Sequence, residues 1–256
     1  MTSALKSRLN GFYARSIYLP VSALGRDLRS LSRRLRGVRR GLPTALTVAA
    51  WHEVIEPRPI RLTQPAKSSG DVNVAELAVL ASAAAATEAG EEIVEIGTFD
   101  GRTTLNLAIN SSADLPVYTL DLPPDQTPKF DLAQGEAQYV QKPRSGRHFR
   151  DAPPEWAAAA GRITQLFGDS ATFDFSGHFG RAGLVFVDGS HAYDYVKADS
   201  DTAFRLVAKK GMVIWHDYGV WDGVTRALEE IEASRQLGLR HVRGTSLVVW
   251  RDQGLG

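Results

Sequence analysis

After residue 71 the spacing of apolar positions switches repeatedly between a helical period and short apolar runs. The pattern predicts a helix over 73–89 ending at Gly90, a strand over 92–96 (EIVEI), a Gly-containing turn and a helix over 101–112. A strand over 117–121 (VYTLD) comes next, then a polar, Pro-rich stretch over 122–155, a short helix and a strand near 162–167. Strand 184–188 (LVFVD), helix 192–208, strand 211–216 (GMVIWH), helix 222–236 and strands 239–243 and 246–251 complete the series. Strands separated by helices must run parallel through right-handed crossovers. The last two are separated only by Gly244-Thr245 and read as an antiparallel hairpin. The expectation is an α/β fold: a mostly parallel seven-stranded sheet ending in an antiparallel hairpin, with helices on both faces.

Residues 1–50 read as a basic leader, 51–70 as a Pro-containing connector and 71–256 as the folded domain. In the leader, Leu24, Leu28, Leu31, Leu35 and Val38 recur at helical spacing, and Arg26, Arg29, Arg33, Arg36 and Arg40 keep the same rhythm on another face. An amphipathic basic helix across 21–40, weakened by Gly25 and Gly37, is expected. It fits contact with a membrane surface, docking on its own domain or on a second subunit of a homo-oligomer, or, least favoured, a nucleic-acid arm. The stretch 122–155 carries Tyr139, Arg144, Arg147 and His148 and is too long for an ordinary connection. It reads as a lid or acceptor-recognition loop, with a disordered insertion as the alternative.

Charge changes this picture in one respect. The net charge is +1, yet residues 1–50 hold ten Lys or Arg against one acid, Asp27, so the remainder is net acidic. The chain has no cysteine, which excludes disulfides, thiolate zinc sites and cysteine nucleophiles. No uncharged apolar run approaches the roughly 20 residues that span a bilayer, and no cleavable signal pattern opens the chain. Cytoplasmic residence is the default expectation, peripheral at a membrane if the leader binds one.

Two constellations carry chemistry. The first is Glu95-Ile96-Gly97-Thr98-Phe99-Asp100-Gly101-Arg102-Thr103-Thr104, a strand end, glycine turn and helix start. Gly97 and Gly101 permit a sharp turn and close approach to a ligand, and the helix start offers N–H groups. Phe99 breaks the G-x-G-x-x-G spacing that a pyrophosphate needs, which argues against a nicotinamide or flavin dinucleotide. Glu95 instead places an acid where it could meet a cationic amino group. Asp121, at a strand end, can accept from ribose hydroxyls, and Gly168-Asp169-Ser170 could border an adenine. A plain βα turn, a strand-end acid and a helix N-cap are the alternatives.

Together, Glu95 to Gly101, Asp121, Gly168-Asp169-Ser170 and the closing hairpin resemble a class I S-adenosylmethionine-dependent methyltransferase of Rossmann-like fold, over about residues 71–251. The resemblance implies that Glu95 and the Gly97–Gly101 turn, with Thr98 and Thr103, hold the methionine part, Asp121 the ribose, and Asp169 and Ser170 the adenine. Phe99 stands where many such enzymes have glycine.

The second constellation is Asp188-Gly189-Ser190-His191 and, one strand later, His216-Asp217. Asp188 and Asp217 should end neighbouring strands roughly 4.8 Å apart. Carboxylates that close repel unless protonated or bridged by a cation, and oxygen ligands suit Mg²⁺, less often Mn²⁺ or Ca²⁺. His191 could take a hydroxyl proton, or simply make a structural hydrogen bond. The run FVDGSHAYDYVKADSDTAFRLVAKKGMVIWHDY is similar to the family of metal-dependent sugar O-methyltransferases of macrolide and glycan pathways. That resemblance implies Asp188 and Asp217 as metal ligands, His191 as general base, and His216 where the family has a second late acidic ligand. It also implies a small-molecule or glycan hydroxyl as acceptor. Tyr193, Tyr195, Trp215, Tyr218 and Trp221 cluster near the site in sequence; Trp215, mid-strand, is expected to be core. A metal-independent or phenol-directed methyltransferase and a non-catalytic nucleotide-binding module are the competing readings.

Overall fold

The computed structural model describes residues 42, 44–64, 72–88, 90–140 and 144–254. The elements below all belong to one compact unit, Pro43–Gly256. The basic helix expected across 21–40 lies outside the described residues. Among these, no helix is long and apolar enough to cross a membrane.

In chain order the elements are β1 (Thr47–Ala49), α1 (Trp51–Val54), α2 (Val74–Ala85), β2 (Glu92–Ile96), α3 (Arg102–Asn110), β3 (Val117–Asp121), α4 (Ala137–Val140), α5 (Arg147–Arg150) and α6 (Ala157–Ala160). They continue with β4 (Ile163–Phe167), β5 (Ala182–Val187), α7 (Tyr193–Leu206), β6 (Val207–Trp215), α8 (Asp222–Arg235), β7 (Arg240–Val242) and β8 (Val248–Arg251). The described strands form one sheet in the order β1-β7-β8-β6-β5-β2-β3-β4. The sheet has eight strands where seven were expected: β1, inside the stretch read as leader, pairs parallel with β7 at the edge. The hairpin is antiparallel as expected, with β8 between β6 and β7. Its loop is longer than two residues, because Val242 N donates to Leu247 O and the turn inside it closes from Thr245 N to Val242 O. Gly244 supplies the positive φ, +80°, that this turn requires.

Period-2 alternation sorts the side chains onto two faces. Val94, Ile96, Val185, Val187, Val213 and Trp215 pack with Val196, Ala203 and Leu206 of α7 and Val224, Ala227 and Leu228 of α8. On the other face, Ile93, Leu184, Phe186 and Ile214 pack with Leu77, Leu80 and Ala84 of α2 and Leu107 and Ala108 of α3. Buried on both sides, β2 and β5 have no exposed position.

Register positions the site. Ile96 pairs with Leu120 and Val187, and Val187 with Trp215. The residues that follow (Gly97, Asp121, Asp188 and His216) therefore leave the sheet along one rim. From β2 the chain proceeds outward to β3 and β4, and from β5 the opposite way to β6. The crevice where strand order reverses lies between β2 and β5, the place where open parallel sheets bind ligands.

Candidate active site

Gly97 has φ +104°, and a Cβ there would lie 2.0 Å from the Asp188 carbonyl oxygen. No other residue fits, because Gly97 N donates to Leu120 O (2.9 Å) while Asp188 N donates to Ile96 O (2.8 Å), clamping the two strand ends together. The loop continues through Thr98, whose Oγ1 is 2.7 Å from Thr119 Oγ1, to Gly101, the N-cap of α3. Phe99 sits at φ +48°, the left-handed region that favours glycine. A phenylalanine thus holds a backbone conformation that glycine adopts more easily, with its ring edge-on to Tyr139. The Arg102 N–H at the start of α3 is taken by Asp100 Oδ1 (3.1 Å).

This loop borders a cavity with about 1070 Å³ of empty volume, the solvent at its mouth included. Gly97, Thr98, Gly101's neighbours Asp100 and Arg102, Thr103, Asp121, Gly168, Asp169 and Ser170 line it. So do Asp188, His191, His216 and Asp217. Glu95 does not. Alternation turns it to the α3 face, fully buried, where it accepts hydrogen bonds from Thr104 Oγ1 and Thr119 Oγ1 (2.6 Å to the latter). Burial pushes its pKa up to about 8 against the pull of these hydroxyls, so it is a neutral acid at pH 7 rather than a counter-ion for an amino group. Asp169 lines the cavity but is already engaged: Oδ2 accepts from Lys129 N (2.6 Å) and Tyr195 Oη (2.7 Å), and Oδ1 from Ala171 N (2.9 Å). Asp121 Oδ2 accepts from Ser145 Oγ.

At the chemical end, Asp188, His191 and Asp217 each offer a ligating atom, and these atoms lie within 4.8 Å of one another. Asp217 takes a left-handed φ of +66°, which turns it back toward β5. Nε2 of His191 is 2.8 Å from Asp217 Oδ2, and the imidazole stacks on Trp221 at 4.4 Å between centroids. Burial works against the charged imidazole, but Asp217 and Glu136 outweigh it and push the His191 pKa up to about 9. His216, expected beside the metal ligands, is buried in a cage of carboxylates. Its Nδ1 is 3.0 Å from Asp188 Oδ1 and 3.4 Å from Asp217 Oδ2, and its Nε2 is 3.2 Å from Glu76 Oε2. These acids overcome burial and hold it charged.

Two acids escaped the sequence reading. Glu76 opens α2 in a capping box with Asn73, whose N–H donates to Glu76 Oε2 (2.9 Å). Its Oε1 accepts from Ser246 N (2.8 Å) and Oγ (2.9 Å) in the hairpin loop. Burial would raise its pKa, yet His216 and these donors hold it down at about 2. An Asn-x-x-Glu spacing was visible in the sequence; its reach across 140 residues to His216 was not. Glu136, on the stretch 122–155, contacts His191 at both its N–H (2.7 Å) and Nδ1 (3.0 Å). Nothing in the local pattern marks it.

The stretch 122–155 roofs this cavity. Leu132, Glu136, Tyr139 and Val140 line it, and Gly146 N and His148 N donate to Phe99 O and Asp100 O (2.9 Å each). Of the five aromatics, Trp215 and Tyr218 are buried in the core; Tyr218 Oη accepts from Ala45 N and Leu46 N. Tyr195 is buried against Asp169. Only Trp221, through its stacking on His191, stays with the chemical end.

The family model of a methyltransferase domain matches residues 94–218, from within β2 to the residue after Asp217. Among solved structures, a protein from Corynebacterium glutamicum is 16% identical, with 73% of this chain and 84% of that one covered and a TM-score of 0.53. The O-methyltransferase NovP gives the same figures: 16% identity, 73% and 84% coverage and a TM-score of 0.53. These two likenesses show the fold. No curated protein matches the chain in sequence.

Proposed function

We propose that the chain, which matches a methyltransferase-domain model over residues 94–218, is an S-adenosylmethionine-dependent methyltransferase that methylates a hydroxyl oxygen, on a sugar within a glycan or glycosylated small molecule. The observation that carries this reading is the grouping of Asp188, His191 and Asp217 within 4.8 Å, on the rim of the cavity that the cofactor-loop residues line. Gly97, Thr98 and Thr103 would border the methionine part, Asp121 the ribose, and Asp169 and Ser170 the adenine. Bound there, S-adenosylmethionine would supply the methyl group to the acceptor hydroxyl, and His191, once Asp217 is drawn from Nε2 to a cation, would be the group placed to take the hydroxyl proton. The products are a methyl ether and S-adenosylhomocysteine.

The donor set fits a divalent cation: two carboxylates and an imidazole at mutual ligating distance, on neighbouring strand ends that otherwise concentrate negative charge. Asp188 and Asp217 would hold it, Mg²⁺ by the oxygen character of the pair, while His216, charged among carboxylates, has no free ring nitrogen to offer. When bound, such an ion lowers the pKa of a hydroxyl and orients it. Trp221, stacked on His191, offers an aromatic face to an acceptor ring. A soluble enzyme working in the cytoplasm fits this reading, and the basic residues of 21–40 would give it peripheral contact with a membrane or a second subunit.

The test is an acceptor screen with isotope-labelled methyl donor, with and without chelator, read by mass spectrometry of the product. A methylated hydroxyl lost on chelation supports the full reading. Activity unchanged by exhaustive chelation removes the metal, and methyl transfer only to nitrogen removes the O-methylation.

A further inference from the structure

Arg102 opens α3 directly after the glycine turn, and only 3% of the residue is exposed. Among the described residues its guanidinium has one acceptor, the Val72 carbonyl, to which Nη2 donates. Nη1 is buried without a hydrogen-bond partner. Asp100, the acid whose charge acts on this side chain, is turned elsewhere. Its Oδ1 accepts from the Arg102 backbone N–H (3.1 Å), and its Oδ2 faces Arg147 (3.5 Å) and His148 (3.2 Å). A buried cation with an unused donor is destabilising until a partner completes it.

Arg102 and Val72 both line the cavity, so that partner can come from a ligand. Among the described residues lining it, only Arg102, His191 and His216 can be cations, and both histidines face carboxylates. The rest of the charged lining is acidic. A ligand carboxylate therefore gains an uncontested ion pair at one place in this cavity, beside Arg102.

We propose that Arg102 binds the α-carboxylate of the methyl donor and anchors its amino-acid end beside Val72. The inference rests on the reading of the cavity as a site for S-adenosylmethionine. That molecule has a single anionic group, the carboxylate; its ammonium and sulfonium groups are positive. Gly97, Thr98 and Thr103, which would border the methionine part, lie on the same turn and helix start as Arg102. Glu95, the acid expected to meet the ammonium group, is neutral and turned to the α3 face. The donor thus loses the counter-ion that the sequence suggested for its ammonium, and Arg102 supplies one for its carboxylate. Because Nη2 is already held by Val72 O, the guanidinium is oriented before the ligand arrives, and little side-chain freedom is lost on binding. The contact forms away from competing water, where charge-assisted hydrogen bonds are strong.

Calorimetric titration of the full-length protein with S-adenosylmethionine and with decarboxylated S-adenosylmethionine, which lacks only the carboxylate, isolates this contact. Wild type should prefer the carboxylated ligand by about 30-fold or more. In Arg102→Ala the preference should collapse to less than about threefold, through weaker binding of S-adenosylmethionine alone. Arg102→Lys keeps the charge without the forked donors and should show an intermediate preference. A purely structural role would weaken both ligands together and preserve their ratio. A wild-type ratio near one overturns the proposal, as does a ratio that survives Arg102→Ala. If that ratio survives while the KM for an anionic acceptor rises, the guanidinium serves the acceptor, and the proposal falls equally. If Arg102→Ala does not fold, Arg102→Lys decides, an unchanged ratio there counting against the contact. Equal binding of both ligands by wild type leaves the cofactor reading intact and removes only the role of Arg102. Failure to bind either ligand strikes that reading and takes this proposal with it.

Discussion

Gly97 and Glu95 lie two residues apart and illustrate opposite constraints. At Gly97 the limit is space: a methyl group would meet the Asp188 carbonyl at 2.0 Å, in backbone that already disfavours an L side chain. Gly97→Ala should cost roughly 3 kcal/mol or more in urea unfolding and lose S-adenosylhomocysteine binding. A variant of near-native stability that binds normally would show that the strand ends are not clamped as described. At Glu95 the limit is charge. The folded protein keeps its proton up to about pH 8, whereas in the unfolded chain the group ionises near 4.5. Folding therefore retains a proton that the unfolded chain releases, so this stability is full below 4.5 and is lost as pH rises toward 8, by up to about 1.4 kcal/mol per pH unit. Asp199, fully buried, with its pKa raised to about 7 by burial, acts the same way over a narrower window. Glu95→Gln should make the decline between pH 5 and 8 shallower, leaving the slopes from Asp199 and Asp188 and, above the ordinary imidazole range, from His191 and His216. Parallel curves for variant and wild type would refute it. The sequence could nominate Glu95 as an acid near a ligand, but whether it faced cavity or core hung on strand phase, one residue either way.

Elements were legible where periodicity ran long. The strands 92–96 and 117–121 appear with their expected bounds, and α2, α3, α7 and α8 lie within the predicted helices, shortened at one or both ends. β1 was not legible: three residues, TVA, next to a basic run carry no period, and their strand character comes from pairing with β7, nearly 200 residues away. The stretch 122–155 was marked as unusual by its length alone, while its contacts depend on tertiary placement: Gly146 and His148 bonding to the loop after β2, and Glu136 reaching His191. Those contacts carry a prediction at this scale. Because Phe99 O and Asp100 O accept from Gly146 N and His148 N, a cofactor that orders the loop should stabilise the roof with it. S-adenosylhomocysteine should slow amide exchange at Gly146 and His148 by tenfold or more in hydrogen-exchange mass spectrometry or NMR. Unchanged exchange at a saturating ligand concentration would uncouple roof from loop.

Across the whole unit from Pro43 to Gly256, four elements distant in sequence deliver charge to one rim. α2 brings Glu76, the roof Glu136, the end of β5 Asp188 and His191, and the end of β6 His216 and Asp217. Four carboxylates against two imidazoles leave the cluster net negative even with both histidines charged, as their carboxylate neighbours hold them. Such a cluster gathered on a rigid sheet is destabilising unless a cation completes it, because register forbids the strand ends from separating. A bound divalent ion should therefore stabilise the fold by linkage, in proportion to the logarithm of its concentration above Kd. Millimolar Mg²⁺ or Mn²⁺ should raise the Tm by several degrees, chelator should reverse the shift, and Asp188→Asn should abolish it while keeping S-adenosylhomocysteine binding. The variant also separates two origins of a salt effect: screening of surface charge would raise the Tm equally in both proteins and be matched by monovalent salt at equal ionic strength. If divalent ions act no more strongly than sodium chloride, the excess negative charge is relieved by a proton on a carboxylate, Asp188 being the one that burial pushes that way, rather than by a metal.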